Sequence, residues 1–180
     1  RWTRSTRNQV NRLSTLTRQL ITLARMEESG GEKMVVFSLA DAVREAAAPY
    51  EALALAQNRR ISLDIAEGVS MKGDEESIRR LVGILLDNAV KYSPSGAAIR
   101  VILKQKGKNR IFSVENPAGQ LPYGSLDVLF ERFYRTDASR NSVTGGSGIG
   151  LSVVRAIVQA HRGKITASGR DGLLVIIAVL

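Results

Sequence analysis

The sequence predicts an α+β protein, a two-layer α/β sandwich preceded by a long helix of the coiled-coil type. Three observations predict it. Leucines recur at helical spacing near the start, three further long helical segments follow, and most of the later strand-like segments are joined by short turns. Short turns favour hairpin-connected strands over a doubly wound parallel sheet. With 180 residues, 44% of them apolar, the chain can bury one core and carry a small appendage.

The long helix is predicted over residues 1–28. Its apolar positions are three, four and three residues apart and comprise Leu13, Leu16, Leu20 and Leu23. Residues 29–31, Ser-Gly-Gly, end it, because glycine tolerates the positive φ found at helix C-termini. A leucine stripe cannot bury itself, so we expect its partner in another chain or in an upstream segment. This divides the chain into residues 1–30 and residues 31–180.

Composition excludes several kinds of function. The chain has no cysteine, which excludes disulfides, thiolate nucleophiles and cysteine-based zinc sites, and a single histidine, His161, argues against a histidine-rich metal centre. The net charge is +9, and residues 1–25 hold six arginines and no acidic residue. Nucleic-acid binding through this segment is an alternative, but the leucine stripe commits one face to helix packing, so we expect no nucleic-acid partner.

The remaining elements follow from periodicity and end signals. Ser38 and Asp41 form an S-x-x-D helix start, Pro49 is expected to kink that helix, and acidic residues from Asp74 open the next helix. Helices are predicted over 38–58, 74–92, 126–130 and 149–160. Strands are predicted over 34–37, 61–65, 98–104, 110–115, 164–167 and 173–180.

One candidate binding segment lies at the end of the helix over 74–92. Helical spacing places Asn88, Lys91 and Tyr92 on one face. An amide oxygen suits Mg²⁺, an ammonium group suits phosphate, and an aromatic ring can lie against a base. Taken alone, an ordinary helix end with a packed tyrosine is the better interpretation of these residues, because short motifs match by chance.

A second candidate is the glycine-rich segment over residues 144–152, which reads Thr-Gly-Gly-Ser-Gly-Ile-Gly-Leu-Ser before an apolar helix. Four glycines in six residues free backbone N–H groups to face an anion at a helix N-terminus. The segment lacks the Lys-Ser/Thr of a Walker loop and does not follow a strand as a dinucleotide fingerprint does. A flexible turn is the alternative, and phosphate binding is the better interpretation.

A third candidate spans residues 129–140. Phe130 and Phe133 could anchor a loop from which Arg132 and Arg135 reach phosphate oxygens. The alternative is that the phenylalanines belong to the core and the arginines to the surface.

Together these segments resemble the catalytic ATP-binding domain of sensor histidine kinases, in the superfamily shared with DNA gyrase, MutL and the heat-shock chaperone ATPases. The order matches: an N box at residues 87–93, an F box at 130–135, a glycine box at 146–151 and a closing Ala-His-Arg-Gly-Lys-Ile at 160–165. Residues 1–28 resemble the second helix of the dimerisation hairpin. The resemblance therefore covers nearly the whole chain.

The resemblance implies a Bergerat-type sandwich that binds ATP with Mg²⁺. Asn88 would be the Mg²⁺ ligand, Lys91 a phosphate contact and Tyr92 a neighbour of the adenine. Arg135 would approach the γ-phosphate, with Arg132 as a weaker candidate for the same role, so that Lys91 and Arg135 are the catalytic residues.

The glycine box would contact the phosphates and consists of Gly146, Ser147, Gly148, Ile149, Gly150 and Leu151. Residues 136–146 would form a lid over the nucleotide. Phosphoryl transfer needs mostly positioning and charge neutralisation, which these groups can supply.

The chain departs from the family pattern at two places. Ile84 stands where the family carries Asn or an acidic residue, one helical turn before the Mg²⁺-binding Asn, and an apolar side chain cannot orient water. Asn116 stands where an Asp takes the adenine amino group, and Ala118 and Gln120 replace two glycines. A neutral acceptor is weaker than a carboxylate, so we expect reduced ATP affinity, and a degenerate nucleotide-binding module is the alternative function.

The resemblance also implies partners outside this chain. His161 holds a position that is structural in the family, so the phospho-acceptor histidine is expected on an upstream helix absent from residues 1–180. The phosphate would pass to a response regulator. A homodimer would form through the N-terminal helix, and the domain would be the cytoplasmic part of a membrane-anchored sensor whose membrane segments lie outside this chain.

Overall fold

The computed structural model describes residues 34–119, 123–134 and 148–180, together with Val10, Ser14 and Thr17. These three residues are helical. The rest of the helix predicted over 1–28, and its leucine stripe, lie outside the described residues.

Three α-helices lie side by side on one face of a sheet. They are α1 (Leu39–Ala56), α2 (Glu75–Tyr92) and α3 (Gly150–Ala160). α1 contacts α2 and β2, α2 contacts α3 and β5, and α3 contacts β7, so the helices form one layer and the strands the other. This confirms the predicted two-layer sandwich.

The strands are β1 (Val35–Ser38), β2 (Arg60–Ile65), β3 (Ser70–Gly73), β4 (Ala98–Lys106), β5 (Asn109–Pro117), β6 (Gly124–Ser125), β7 (Lys164–Arg170) and β8 (Leu173–Val179). Six of them form one sheet in the order β2-β4-β5-β8-β7-β6, while β1 and β3 form a separate antiparallel ribbon. All neighbours in the large sheet are antiparallel except β2 and β4. A short 3-10 helix, Asp127–Phe130, follows β6.

Local end signals place the helices as the sequence predicts. Ser38 Oγ accepts a hydrogen bond from the Asp41 amide at the start of α1. Asp74 does the same for α2, where its carboxylate accepts from the amides of Glu76 and Ser77. α1 continues through Pro49 to Ala56 as a single helix.

The core lies between the two layers. It is made of alternate residues of the central strands and the inner faces of the helices, and its largest fully buried side chains include Phe112, Leu81, Leu85, Leu86, Ile99, Leu103 and Ile157. No helix among the described residues is long and apolar enough to cross a bilayer.

Two strands were missed by the sequence analysis. β3 is four residues long and β6 only two, which is too short to show a period of two in a sequence. The parallel pairing of β2 with β4 was not predicted from the sequence either. The chain runs from β2 through β3 and α2 to β4, and a crossover connection of this length allows the two strands to run in the same direction.

Candidate nucleotide site

The last two turns of α2 form one side of the candidate site. Asn88 is half-buried there and Ile84 lies one turn earlier on the same face. Both face the first residue of α3. A methyl group added at Gly150 would lie 3.2 Å from Ile84 Cγ2 and 3.9 Å from Asn88 Nδ2. The predicted Mg²⁺ ligand and the start of the glycine-box helix are therefore neighbours.

The N-cap residue of α3 is apolar and cannot cap the helix with its own side chain. Ile149 precedes the helix, makes no side-chain cap, and the first turn holds no acidic residue. The Ile149 side chain is fully buried and Leu151 packs against the core, so these two residues can offer only their backbone to a ligand. A helix start of this kind leaves N–H groups for an anion.

The F box and the glycine box are joined through their backbones. The Phe133 amide donates a 2.9 Å hydrogen bond to the Gly148 carbonyl. Gly148 has φ +72°, and a methyl group there would lie 3.0 Å from Phe133 Cα and C. Glycine is thus required at this position for both conformation and space. The Arg155 guanidinium adds an ion pair at 3.0 Å to Glu131.

Some predicted site residues lie outside the described residues: Arg135, Gly146, Ser147 and the lid over 136–146. Arg132 is exposed in the turn just before them. In the last turn of α2, the Lys91 ammonium lies 5.6 Å from the centre of the Tyr92 ring, and Tyr92 is 37% exposed. Tyr92 therefore lies at the surface, and Lys91 is half-buried beside it.

A buried polar cluster closes the end of α2 against the sheet. Asn116 on β5 is only 4% exposed, and its Nδ2 donates to Ser93 Oγ and to the Pro117 carbonyl, both at 3.1 Å. The Ser93 carbonyl accepts from Arg59 Nε at 2.9 Å and Nη2 at 2.6 Å. The sequence analysis did not predict this role of Arg59, because the residue belongs to no recognisable motif. Its position just before a predicted strand was the only signal in the sequence.

His161 is held by backbone groups at both ring nitrogens. Nδ1 bonds to the Ile157 carbonyl at 2.8 Å, and Nε2 accepts from the Asp74 amide at 3.0 Å. Because the carbonyl accepts and the amide donates, the proton resides on Nδ1. A methyl group at Gly73 would lie 2.7 Å from the ring. His161 therefore joins the end of α3 to the start of α2.

Two pKa shifts occur near α2. Burial raises the pKa of Tyr50 above its ordinary value, and the negative charge of Asp87 raises it further. Hydrogen bonds to Glu75 and then Glu45 raise the pKa of Arg79. Within the described part of the chain, no three His, Cys, Asp or Glu side chains are grouped so that they could hold a metal ion by themselves.

Residues 73–179 match the family described as histidine kinase-, DNA gyrase B- and HSP90-like ATPases. The chain belongs to this family. The matched region begins just before α2 and contains the N, F and glycine boxes, so an ATP-binding domain of the histidine-kinase type accounts for the fold.

The relatives are sensor proteins. The chain is 36% identical over 179 residues to the phosphate regulon sensor protein PhoR of Pseudomonas aeruginosa, covering 96% of this chain and 40% of PhoR. It is 33% identical over 162 residues to the sensor protein DltS of Streptococcus agalactiae, covering 89% of this chain and 40% of DltS. The chain thus spans about two fifths of these relatives, and it corresponds to the ATP-binding catalytic domain of sensor histidine kinases of two-component systems.

Solved structures agree. The histidine kinase AdeS of Acinetobacter baumannii superposes with a TM-score of 0.78 at 25% identity, over 98% of this chain and 82% of AdeS. Full-length ShkA, solved in complex with AMPPNP, superposes with a TM-score of 0.79 at 19% identity, over 99% of this chain and 37% of ShkA. The second likeness shows the fold alone.

Proposed function

We propose that this domain binds Mg-ATP and transfers its γ-phosphate to a histidine on a helix outside residues 1–180. One observation carries the proposal: Asn88 Nδ2 lies 3.9 Å from where a methyl group at Gly150, the first residue of α3, would stand. A metal-binding amide and an anion-binding helix end thus face the same space.

The residues of the site have complementary roles in this proposal. The N–H groups at the start of α3, from Gly150 onward, bind phosphate oxygens. Lys91 adds a positive charge, and Tyr92 lies beside the base. Arg135, and secondarily Arg132, neutralise the charge that develops on the transferring phosphoryl group. The bond between Phe133 and Gly148 holds the segment that leads to Arg135 beside the glycine box.

The donor set fits Mg²⁺. This ion keeps several waters and takes most of its other ligands from the nucleotide phosphates, so a single amide oxygen at Asn88 is a suitable protein contribution. When bound, Mg²⁺ would supply positive charge that neutralises the phosphate oxygens. Asn88 would hold it, and the chain's remaining residues would orient the triphosphate.

The acceptor histidine has to come from elsewhere. The sequence holds one histidine, and both of its ring nitrogens are used by backbone groups of α2 and α3. We propose that residues 1–30 pair in a dimer with a histidine-bearing helix and that a response regulator receives the phosphate. We propose that the domain works in the cytoplasm, where ATP is available, as part of a membrane-anchored sensor.

Equilibrium titration with Mg-ATP tests the site. We expect Asn88→Ala to weaken binding about 10- to 100-fold, the loss of one strong contact to a charged group. Asn109→Ala, at the exposed first residue of β5, is the matched control and should bind as wild type does. Equal affinity for Mg-ATP in the two variants would overturn the assignment of Asn88.

Transfer from ATP labelled at the γ-phosphate tests the reaction. The chain is mixed with a two-helix segment that carries an acceptor histidine, and label on that histidine supports the kinase. A folded chain that binds Mg-ATP yet transfers nothing would favour the degenerate module, for which Ile84 is the motivating residue.

A further inference from the structure

Strand β2 is the long open edge of the six-stranded sheet. It pairs with β4 on one side and with no described strand on the other, while the opposite edge, β6, is only two residues long. The Arg60 amide donates toward β4, to the Ala97 carbonyl at 2.9 Å, and backbone groups alternate in direction along a strand. The N–H and C=O groups of Ile61 and Leu63 therefore face away from the sheet, and no hydrogen bond from a described residue reaches them. Such an edge is a template for an added strand.

Opposite charges stand at equal distances along this edge. Arg60, Ser62 and Asp64 are exposed on the face of β2 that points away from the helices, because the residues that alternate with them, beginning with Ile61, pack against the core. Asp64 lies 3.6 Å from Lys104 on β4, in an ion pair whose side chains are both more exposed than buried. Such a surface pair is weak, so the carboxylate can also interact with a second cation. A positive and a negative side chain thus lie two residues to either side of Ser62.

We propose that this edge binds the same edge of a second copy of the chain, with the two β2 strands antiparallel and a two-fold axis at Ser62. In this register Ile61 of each copy lies opposite Leu63 of the other, and their outward backbone groups form hydrogen bonds across the axis. Arg60 of each copy lies opposite Asp64 of the other, and opposite charges directly across two strands are stabilising. This interface goes beyond the proposed function and needs no nucleotide.

The backbone partners already present select this register over its neighbours. An axis at Leu63 would need the Ile65 carbonyl, which already accepts a hydrogen bond from Arg44 Nη2 at 3.5 Å. An axis at Ile61 would need the Arg59 amide, which already donates to a carbonyl of α1 at 2.8 Å. Only the axis between these two uses backbone groups without a described partner, and only this axis brings the opposite charges together.

The face of α1 beside this edge is also exposed. Arg44 places that face, because its guanidinium bonds at 2.6 Å to Glu67, two residues beyond the end of β2. Ala48, Ala52 and Leu55 follow along the same side of the helix, and all three are exposed, Leu55 by 66%. The proposed axis is perpendicular to the joined sheet, so it would place the two α1 helices on one face with these side chains toward each other. Small residues let helices approach closely, so the helix face and the strand edge would form one interface.

The first experiment uses the absence of cysteine from the chain. In the proposed dimer the two copies of residue 62 form a non-hydrogen-bonded pair with Cα atoms about 4.5 Å apart, within the range of a disulfide. Ser62→Cys should therefore form a disulfide-linked dimer under mild oxidation at least about tenfold faster than Ser70→Cys. Ser70 is the matched control, because it is an exposed serine on β3, away from the proposed interface. Equal rates of linkage would overturn the inference.

Pairing through residues 1–30 does not imitate this result. It would bring two chains together, but it does not place the two copies of position 62 side by side. The comparison of Ser62→Cys with Ser70→Cys, measured on the same full chain by non-reducing gel electrophoresis, therefore reports on the β2 edge.

The second experiment tests the register with charge reversals in the Ser62→Cys chain. Arg60→Asp places carboxylates opposite each other and Asp64→Arg places guanidinium groups opposite each other, so each variant alone should link at least about fivefold more slowly. An equimolar mixture of the two restores both opposite-charge pairs and should link at the rate of the Ser62→Cys parent, as a mixed dimer identified by mass. Circular dichroism confirms that both variants are folded. A mixture that links no faster than its separate components would overturn the proposed pairing.

Discussion

At the scale of single residues, Gly148 connects the F box to the glycine box. It has a left-handed conformation and its Cα lies so close to Phe133 that no side chain fits between them. Gly68, in the turn between β2 and β3, has nearly the same φ at +69° but nothing within 4 Å of its methyl position. A comparison of alanine substitutions at Gly148 and Gly68 therefore separates the effect of a positive φ from the effect of a close neighbour.

We expect Gly148→Ala to weaken Mg-ATP binding about tenfold, because the alanine methyl displaces Phe133 and the segment that leads to Arg135. Gly68→Ala should lower the free energy of unfolding by roughly 1 kcal/mol, because alanine disfavours a positive φ, and it should bind Mg-ATP as wild type does. Chemical denaturation and nucleotide titration of both variants measure the two effects. Equal nucleotide affinity in the two variants would contradict the prediction.

At the scale of elements, both ends of α2 are held by residues distant in sequence. Its start is tied to α3 through His161, and its end is tied to the segment before β2 through Arg59. The candidate site lies between these two ties, at the last turns of the helix. The placement of Asn88 therefore depends on contacts that lie outside the motif that contains it.

Gly73→Ala should destabilise the fold by about 2–3 kcal/mol, because the methyl group displaces the imidazole and leaves the Asp74 amide unpaired. His161→Ala removes the obstacle, so the double variant should be less destabilised than the sum of the single variants. Urea denaturation of all three variants measures the coupling. Simple additivity would show that the ring does not limit the space at Gly73.

Arg59→Lys should lower the free energy of unfolding by about 1 kcal/mol, because one ammonium cannot reproduce two guanidinium bonds to the Ser93 carbonyl. Arg60→Lys is the matched control, since Arg60 is the adjacent residue and is exposed on the edge strand. Thermal or urea denaturation compares the two. A larger loss for Arg60→Lys would refute the role given to Arg59.

At the scale of the whole molecule, the chain holds the parts for binding and orienting ATP and a single, structural histidine. We expect residues 1–180 incubated with γ-labelled Mg-ATP to acquire no label and to release no phosphate above background. Both ring nitrogens of His161 are hydrogen-bonded, and in the proposed site the apolar side chain of Ile84 would not orient a water molecule for attack on the phosphates. Acid-labile label on the wild-type chain that disappears in His161→Gln would contradict this prediction.

Local sequence signals predicted most of the fold. The caps at Ser38 and Asp74 and the apolar periodicity of α2 and α3 act within a few residues, so the helix bounds agree with the structure to within about two residues. The N box and the glycine box were likewise local strings. Their side-by-side arrangement was predicted only through the resemblance to a known family.

The sequence by itself was enough to predict the family and the order of its boxes, because each box is a short motif of consecutive residues. It also showed the two departures from the family pattern, at Ile84 and Asn116. The hydrogen bonds that join Asn116 and Arg59 to Ser93 could not be predicted from it. Asn116 and Arg59 lie 23 and 34 residues from Ser93, and a hydrogen bond across such a distance exists only after packing brings the chain segments together. Chain folding, and not residue type, therefore assembled this polar cluster at the end of α2.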